Sequence, residues 1–355
     1  MSHKLDINDR VRIFNQISDK NFIVRMIKDN YIYVAPDVVS ENFIILTYSN
    51  NEFNVNGTSE KFEIICFDNK IENLLEKLSK EKYLYNGEHA IDPIKKSNYL
   101  NSIKDERYKK IVKYIIDHTI YITMSTLVDK ISVPSIGLAR NINKFLSEVN
   151  DDFYLLFQDK IGSEQYLTAQ FYDQIKNNPY YKGVIKNNSY ISHGHILIID
   201  DAIYSGNNTL ETIDEYTYYN VQNKNNLDCW AGEEIISKKT KKLFKNVYFN
   251  ILTAYVSGGG KESINYFCDS RGINCVFSTE ETLISLSEYC EKDGLIDDYE
   301  YASKILKPEC DPYGLYFDHK VANEFGTYPQ IYLEGRREDG SSFGTILTNL
   351  PHRHL

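Results

Sequence analysis

The 355-residue chain lacks a basic excess: 40 Lys and Arg stand against 50 Asp and Glu, a formal net charge of −10. That balance argues against a general nucleic-acid binder, which needs a positive footprint to neutralise phosphates. No apolar run approaches the roughly 18 residues of a membrane-crossing helix. Residues 1–12 are too polar and charged for a secretory leader. No membrane partner is therefore expected, and a cytoplasmic location is. The six cysteines (Cys66, Cys229, Cys268, Cys275, Cys290 and Cys310) include no C-x-x-C pair. The chain is far longer than a disulfide-stapled scaffold, so free, mostly buried thiols in a reducing compartment are expected. Glycine is scarce at 18 residues while tyrosine reaches 29, a bias that reflects the base composition of the gene rather than a function.

The rest is ordinary for a globular protein, with 42% hydrophobic and 25% charged residues. This length allows two or three elements with sizeable cores. Residues 22–34, 42–48 and 61–67 mix β-branched and aromatic residues with polar ones, the character of strands. Asn50, Asn51, Asn56 and Gly57 suit turns between them. A small β-rich domain is expected over residues 1–80. Within it, Ile71, Leu74, Leu75 and Leu78 space an amphipathic helix over 70–79.

Residues 81–134 read as a helical connection: a polar stretch over 83–102, then a helix over 105–118 with Ile111, Val112, Ile115 and Ile116 on one side. Pro134 suits the first turn of a helix running to about 149. From 135 to 290 strands and helices alternate. Strands are expected at 153–157, 195–199, 247–256 and 273–277, with helices at 166–175, 210–219, 261–270 and 280–290. Continuous apolar strands separated by helices indicate an α/β fold with a mostly parallel sheet covered on both faces. Such sheets bind ligands beyond the carboxyl ends of their strands. Residues 291–355 form a C-terminal extension.

The segment 196–209, ILIIDDAIYSGNNT, concentrates the chemistry. Four apolar residues make a buried strand, with Asp200 and Asp201 expected at its end. A loop entering a helix offers backbone N–H groups and a positive dipole end to a phosphate. Ser205 and Thr209 add hydroxyls, Gly206 allows close backbone approach, and Asn207 and Asn208 tolerate left-handed conformations. Two carboxylates would repel that phosphate, so their partners are ribose hydroxyls or a Mg²⁺ carried with a pyrophosphate.

Four apolar residues, an acidic pair, three variable positions and then Ser-Gly-x-x-Thr resemble the signature of type I phosphoribosyltransferases. The resemblance implies that Asp200 and Asp201 hold the ribose of phosphoribosyl pyrophosphate. It places the 5′-phosphate at Ser205, Gly206, Asn207, Asn208 and Thr209. An earlier loop over 158–163 would hold the pyrophosphate through Lys160 and Gly162. It further implies a Mg²⁺-dependent glycosyltransferase that moves the phosphoribosyl group to or from a nitrogenous base, with residues after 290 as a base-binding hood. No side chain is assigned as a direct metal ligand, and a homo-oligomer is allowed. The alternatives are a non-catalytic sensor of phosphoribosyl pyrophosphate or a nucleotide, and an interaction scaffold without ligand.

Other readings of these residues are weaker. An acidic pair after an apolar strand also describes a Walker B element, but Ser257–Lys261 lacks the first glycine and the hydroxyl residue of a P-loop. The glycines at 258–260 make either a ligand-facing edge or a plain strand–helix turn. Asp318, His319 and Lys320 form a polar triplet that contacts the ligand or simply begins a helix. His193 and His195 lack the thiol or carboxylate of a metal site. Trp230 lies in an insertion over 220–232 that suits a lid or a packed loop, and the lysines over 238–245 form a solvated face.

Overall fold

The computed structural model describes residues 5, 7–14, 19–29, 31–36, 43–49, 52–58, 63–80, 90–123, 126–127, 137–158, 163–225, 233–279, 281–317 and 326–348. The first six strands are β1 Arg10–Phe14, β2 Asp19–Lys28, β3 Tyr31–Ala35, β4 Ile44–Ser49, β5 Glu52–Val55 and β6 Glu63–Cys66. They pair antiparallel in the order β5-β4-β3-β2-β1-β6. Alternation along the strands turns Val11, Ile13, Val24, Ile32, Val34 and Leu46 into one core. Residues 22–34, expected as one strand, are two. The chain reverses between Lys28 and Tyr31 with Asp29 at φ +53°, a conformation that a short polar side chain tolerates. Gly57 sits at φ +84°, as its turn requires. Asn50 and Asn51 lie outside the described residues.

Helix α1, Asn69–Lys80, buries Leu75 and Leu78 as the spacing predicts. The polar connection expected over 83–102 is corrected in its second half, where α2 spans Pro93–Ser102. Asp92 caps it by accepting from the amides of Ile94 and Lys95, and Pro93 fills the first turn, where its missing N–H costs nothing. Asp105 opens α3, Glu106–His118, in the same way, and strand β7, Ile120–Ile122, follows. Pro134 lies outside the described residues, and the helix expected behind it, α4, spans Gly137–Glu148.

Then come β8 Phe153–Leu155, α5 Ser163–Lys176, β9 Tyr181–Val184, β10 Gly194–Ile203, α6 Asn207–Asn225, α7 Glu233–Leu243, β11 Val247–Ser257, α8 Gly258–Arg271 and β12 Asn274–Ser278. The five strands form a parallel sheet in the order β12-β11-β10-β8-β9. Successive residues of β10 serve opposite faces. Leu197 and Ile199 pack with Leu138 and Ile142 of α4 and Leu167 of α5. Ile196 and Ile198 pack with Ile213 and Tyr216 of α6 and Ile264 and Cys268 of α8. A strand covered on both sides has to be apolar throughout, which explains the run ILII. The protein is thus a mixed α/β structure: a helix-flanked parallel sheet with an antiparallel sheet ahead of it. No described helix is long and apolar enough to cross a membrane. The five described cysteines are free, and Cys66, Cys268 and Cys290 are buried.

The two sheets are joined. Phe67, just past β6, bridges antiparallel to Ile185 beyond β9, and the Lys186 amide donates to the Cys66 carbonyl. Arg12 reaches across to the Asp152 carboxylate and the Tyr154 hydroxyl, and Lys186 pairs with Asp9.

Residues 280–290, expected as one helix, divide into β13 Glu281–Leu283, parallel to the far end of β11, and α9 Leu286–Lys292, capped by Ser285. Helix α10 Ile296–Leu306, strand β14 Leu315–Phe317 and helix α11 Pro329–Tyr332 complete the elements. Strand β14 pairs parallel with β7. Tyr99, Tyr108, Ile111 and Ile115 share one core with Leu286, Tyr299, Leu306, Tyr328 and Leu347. The stretches read from sequence as a connection and an extension thus pack as one body. The apolar face of α3 finds its cover far downstream, in residues such as Tyr299 and Leu306.

A cleft at the carboxyl end of β10

Strand β10 runs further than its apolar run suggests. It passes through Asp200 and Asp201 to Ile203, in register with β11 as far as Val256. Neighbours on a strand face opposite ways. Asp200 is half-buried and lines a cleft of about 240 Å³, whereas Asp201 is 1% exposed and does not. The inward carboxylate accepts from the Ala202 amide at 2.7 Å, and the Asp201 amide donates to Asp200 Oδ1 at 2.8 Å. Sequence spacing brings the pair together, but the pleat separates their tasks.

The cleft is completed by the turn into α6. Ser205, Gly206, Asn207, Asn208 and Thr209 all line it. Gly206 takes φ +81°, and a methyl group there would stand 3.0 Å from the Gly260 carbonyl and 3.1 Å from Ile264. Its carbonyl accepts from Leu210 in the first helical turn, and Ser205 Oγ accepts from the Asn207 amide at 3.3 Å. No acidic residue occupies the first turn of α6, so the positive end of its dipole is not offset there. Thr209 is 4% exposed and lines the cleft.

The opposite wall comes from β8 and α5. Gln158 donates from Nε2 to the Asn208 carbonyl at 2.9 Å and ties the end of β8 to the start of α6. Glu164, in the first turn of α5, lines the same cleft, as do Phe157, Ile199 and Ile203. Sequence reading did not single out Glu164, Tyr204 or Thr212. The available signal was position: the first helical turn after a neighbouring strand faces the same crevice. Lys160 and Gly162 lie outside the described residues, as do Cys229, Trp230, Asp318, His319 and Lys320.

Tyr204 links the cleft to the C-terminal body. Its ring stacks on Tyr313 at 5.9 Å and 19°. Burial pushes its phenol well above the ordinary range, with Asp201 and Asp200 adding in the same direction, so it keeps its proton at neutral pH. Behind it lies a second turn. Ser257 Oγ donates to the Tyr204 carbonyl and caps α8 by accepting from the Gly260 amide at 2.8 Å. Residues 257–260 do not line the cleft.

The histidines sit at the amino end of β10, away from the cleft. His193 is exposed, and His195 Nδ1 lies 3.1 Å from Asn250 Nδ2 between Phe145 and Tyr248. No group of three or more His, Cys, Asp or Glu able to hold a metal occurs among the described residues. Compared with known proteins, the chain matches no family model, no curated protein and no solved structure. Chemically, the cleft offers an amide-rich helix start and the Thr209 hydroxyl to an anion. It also offers carboxylates to hydroxyl donors and an apolar side to a ring.

Proposed function

We propose that this cleft binds a 5-phosphoribosyl group and that the chain is a type I phosphoribosyltransferase-like protein, acting on phosphoribosyl pyrophosphate and a nitrogenous base. The observation that supports this most is the meeting of Asp200 with the start of α6 in one cleft at the carboxyl end of a central parallel strand. The 5′-phosphate lies against the turn at Ser205–Thr209, where backbone donors and the helix dipole favour negative charge. Asp200 accepts from the ribose hydroxyls. Asp201, turned inward, positions Asp200 and the turn.

Two carboxylates in the cleft, Asp200 and Glu164, suit Mg²⁺ that arrives on ligand oxygens and keeps its waters, rather than a metal held in a protein cage. When bound, the ion neutralises charge on a departing pyrophosphate. The chain's own contribution is positioning and electrostatic stabilisation, with no side chain as covalent nucleophile.

Calorimetric titration of phosphoribosyl pyrophosphate with Mg²⁺ tests the assignment. The wild type should bind, and Asp200→Asn should bind about tenfold more weakly, the loss of one charge-assisted hydrogen bond. Equal affinity in both proteins would remove the ribose from Asp200.

A further inference from the structure

No described cysteine lines the cleft, yet two of them meet. Helix α8 ends at Arg271, where Gly272 at φ +63° turns the chain back so tightly that the Ile273 amide donates to the Cys268 carbonyl at 2.8 Å. Strand β12 therefore returns directly against the helix that precedes it. Alternation along the strand puts Ile273, Cys275 and Phe277 on the face that α8 covers. The helix buries Gly260, Ile264 and Cys268 in successive turns of one side. The result is a pair of thiols within hydrogen-bonding reach of each other, both free. Cys268 is 1% exposed, whereas Cys275 is half-buried on the last strand of the sheet. The hydrogen bond to Cys275, together with burial, holds the Cys268 thiol above the ordinary range, so it keeps its proton at neutral pH.

We infer that Cys268 and Cys275 are a reversible dithiol–disulfide pair, and that closing it clamps α8 and steadies the turn bordering the cleft. The oxidant is hydrogen peroxide. Cys275, the thiol that solvent reaches, attacks it: an S–O bond forms, the O–O bond breaks, and the released hydroxide takes the thiol proton to leave as water. Cys275 is then a sulfenic acid. Cys268 displaces its hydroxyl: the S–S bond forms, the S–O bond breaks, and the Cys268 proton leaves with that hydroxyl as a second water. An external dithiol reverses the process by exchange. Bond formation draws the two sulfurs to about 2 Å and pulls the last turns of α8 onto β12. At the other end of the same helix face, the Gly260 carbonyl and Ile264 back Gly206. None of this depends on which ligand the cleft takes.

The full chain is oxidised with a small excess of hydrogen peroxide, its remaining thiols are alkylated, and it is digested without reductant. The expected product is a peptide pair joined through Cys268 and Cys275 and separated again by dithiothreitol. In Cys268→Ala the reaction should stop at a Cys275 sulfenic acid, trapped by dimedone. In Cys275→Ser, Cys268 should stay unmodified. Oxidation of the wild type should raise the melting temperature by a few degrees, because the link restricts the unfolded chain. Amide hydrogen exchange should slow in α8, in β12 and at residues 204–208. Free Cys268 and Cys275 after oxidation, or a link from either to another cysteine, would overturn the pair. Slowing confined to β12 and the last turn of α8 would overturn the clamp on the turn.

Discussion

Two strand-to-helix turns lie side by side in this protein, built from nearly the same letters. The turn from β10 into α6 reads Ser205, Gly206, and the turn from β11 into α8 reads Ser257, Gly258, Gly259, Gly260. The second is closed on itself: Ser257 caps its own helix and holds the Tyr204 carbonyl, and Gly260 packs against that carbonyl. The first is open, with its residues, Thr209 among them, lining a cleft. The difference is in what each turn satisfies, not in its composition. A turn whose polar groups are all used supports structure; one that leaves them facing a crevice is available to a ligand.

Substitutions should separate the two turns, and the largest effect belongs to the closed one. A methyl group on Gly260 would overlap the Tyr204 carbonyl, and Gly260→Ala should cost about 3 kcal/mol of stability by forcing the turns apart. Thermal unfolding reads this directly, and an unchanged melting temperature would mean that the turns are not packed together. Gly206→Ala is next. A side chain at φ +81° with a carbonyl 3.0 Å away should cost about 1–2 kcal/mol and also weaken phosphate binding.

The hydroxyls sharpen the contrast further. Ser257→Ala should lose about 1 kcal/mol with its helix cap and leave ligand affinity where it was. Thr209→Val should do the reverse, holding its melting temperature while phosphate affinity falls about tenfold. Matching losses in both properties for both variants would abolish the distinction.

The smallest effect lies at the far end of β10. Burial holds the His195 pKa below its ordinary value, outweighing the pull of Asp151. Folding therefore favours the neutral ring, so its contribution is complete above about pH 6.5 and is lost as pH falls from there through the lower folded-state value. His195→Gln should flatten the decline in stability between about pH 7 and pH 5, read by thermal unfolding across that range. The pH dependence of binding in the cleft should not change.

What could be read from the chain follows from how local its cause was. The run of residues 196–199 announces a doubly covered strand because each of its side chains has to be apolar. Asp105 and the Ile111–Ile116 spacing announce α3 in the same local way. The end of β10 was not legible: two aspartates look like a strand end, yet β11 pairs beyond them and draws the strand on to Ile203. Nor was the split of residues 280–290, where the free length of β11 supplies a partner for β13 that only the folded sheet contains. In the cleft, the segment 200–209 was visible as a motif, while Glu164 arrives from another helix and carries no motif. The shared core of α3 and α10 was hidden for the same reason, since amphipathic faces show that they need cover and not where it comes from.

That shared core bears on how the protein is made. As the chain leaves the ribosome, α2 and α3 emerge long before Leu286, Tyr299, Tyr328 and Leu347, the residues that cover them. The whole parallel sheet is synthesised in the interval, and it can assemble while Tyr108 and Ile111 are still exposed to solvent. Contacts of such long sequence separation form late, and apolar faces that wait are where misassembly begins. A nascent chain stalled near residue 280 would therefore present a finished sheet beside an uncovered helical surface, a natural substrate for chaperones.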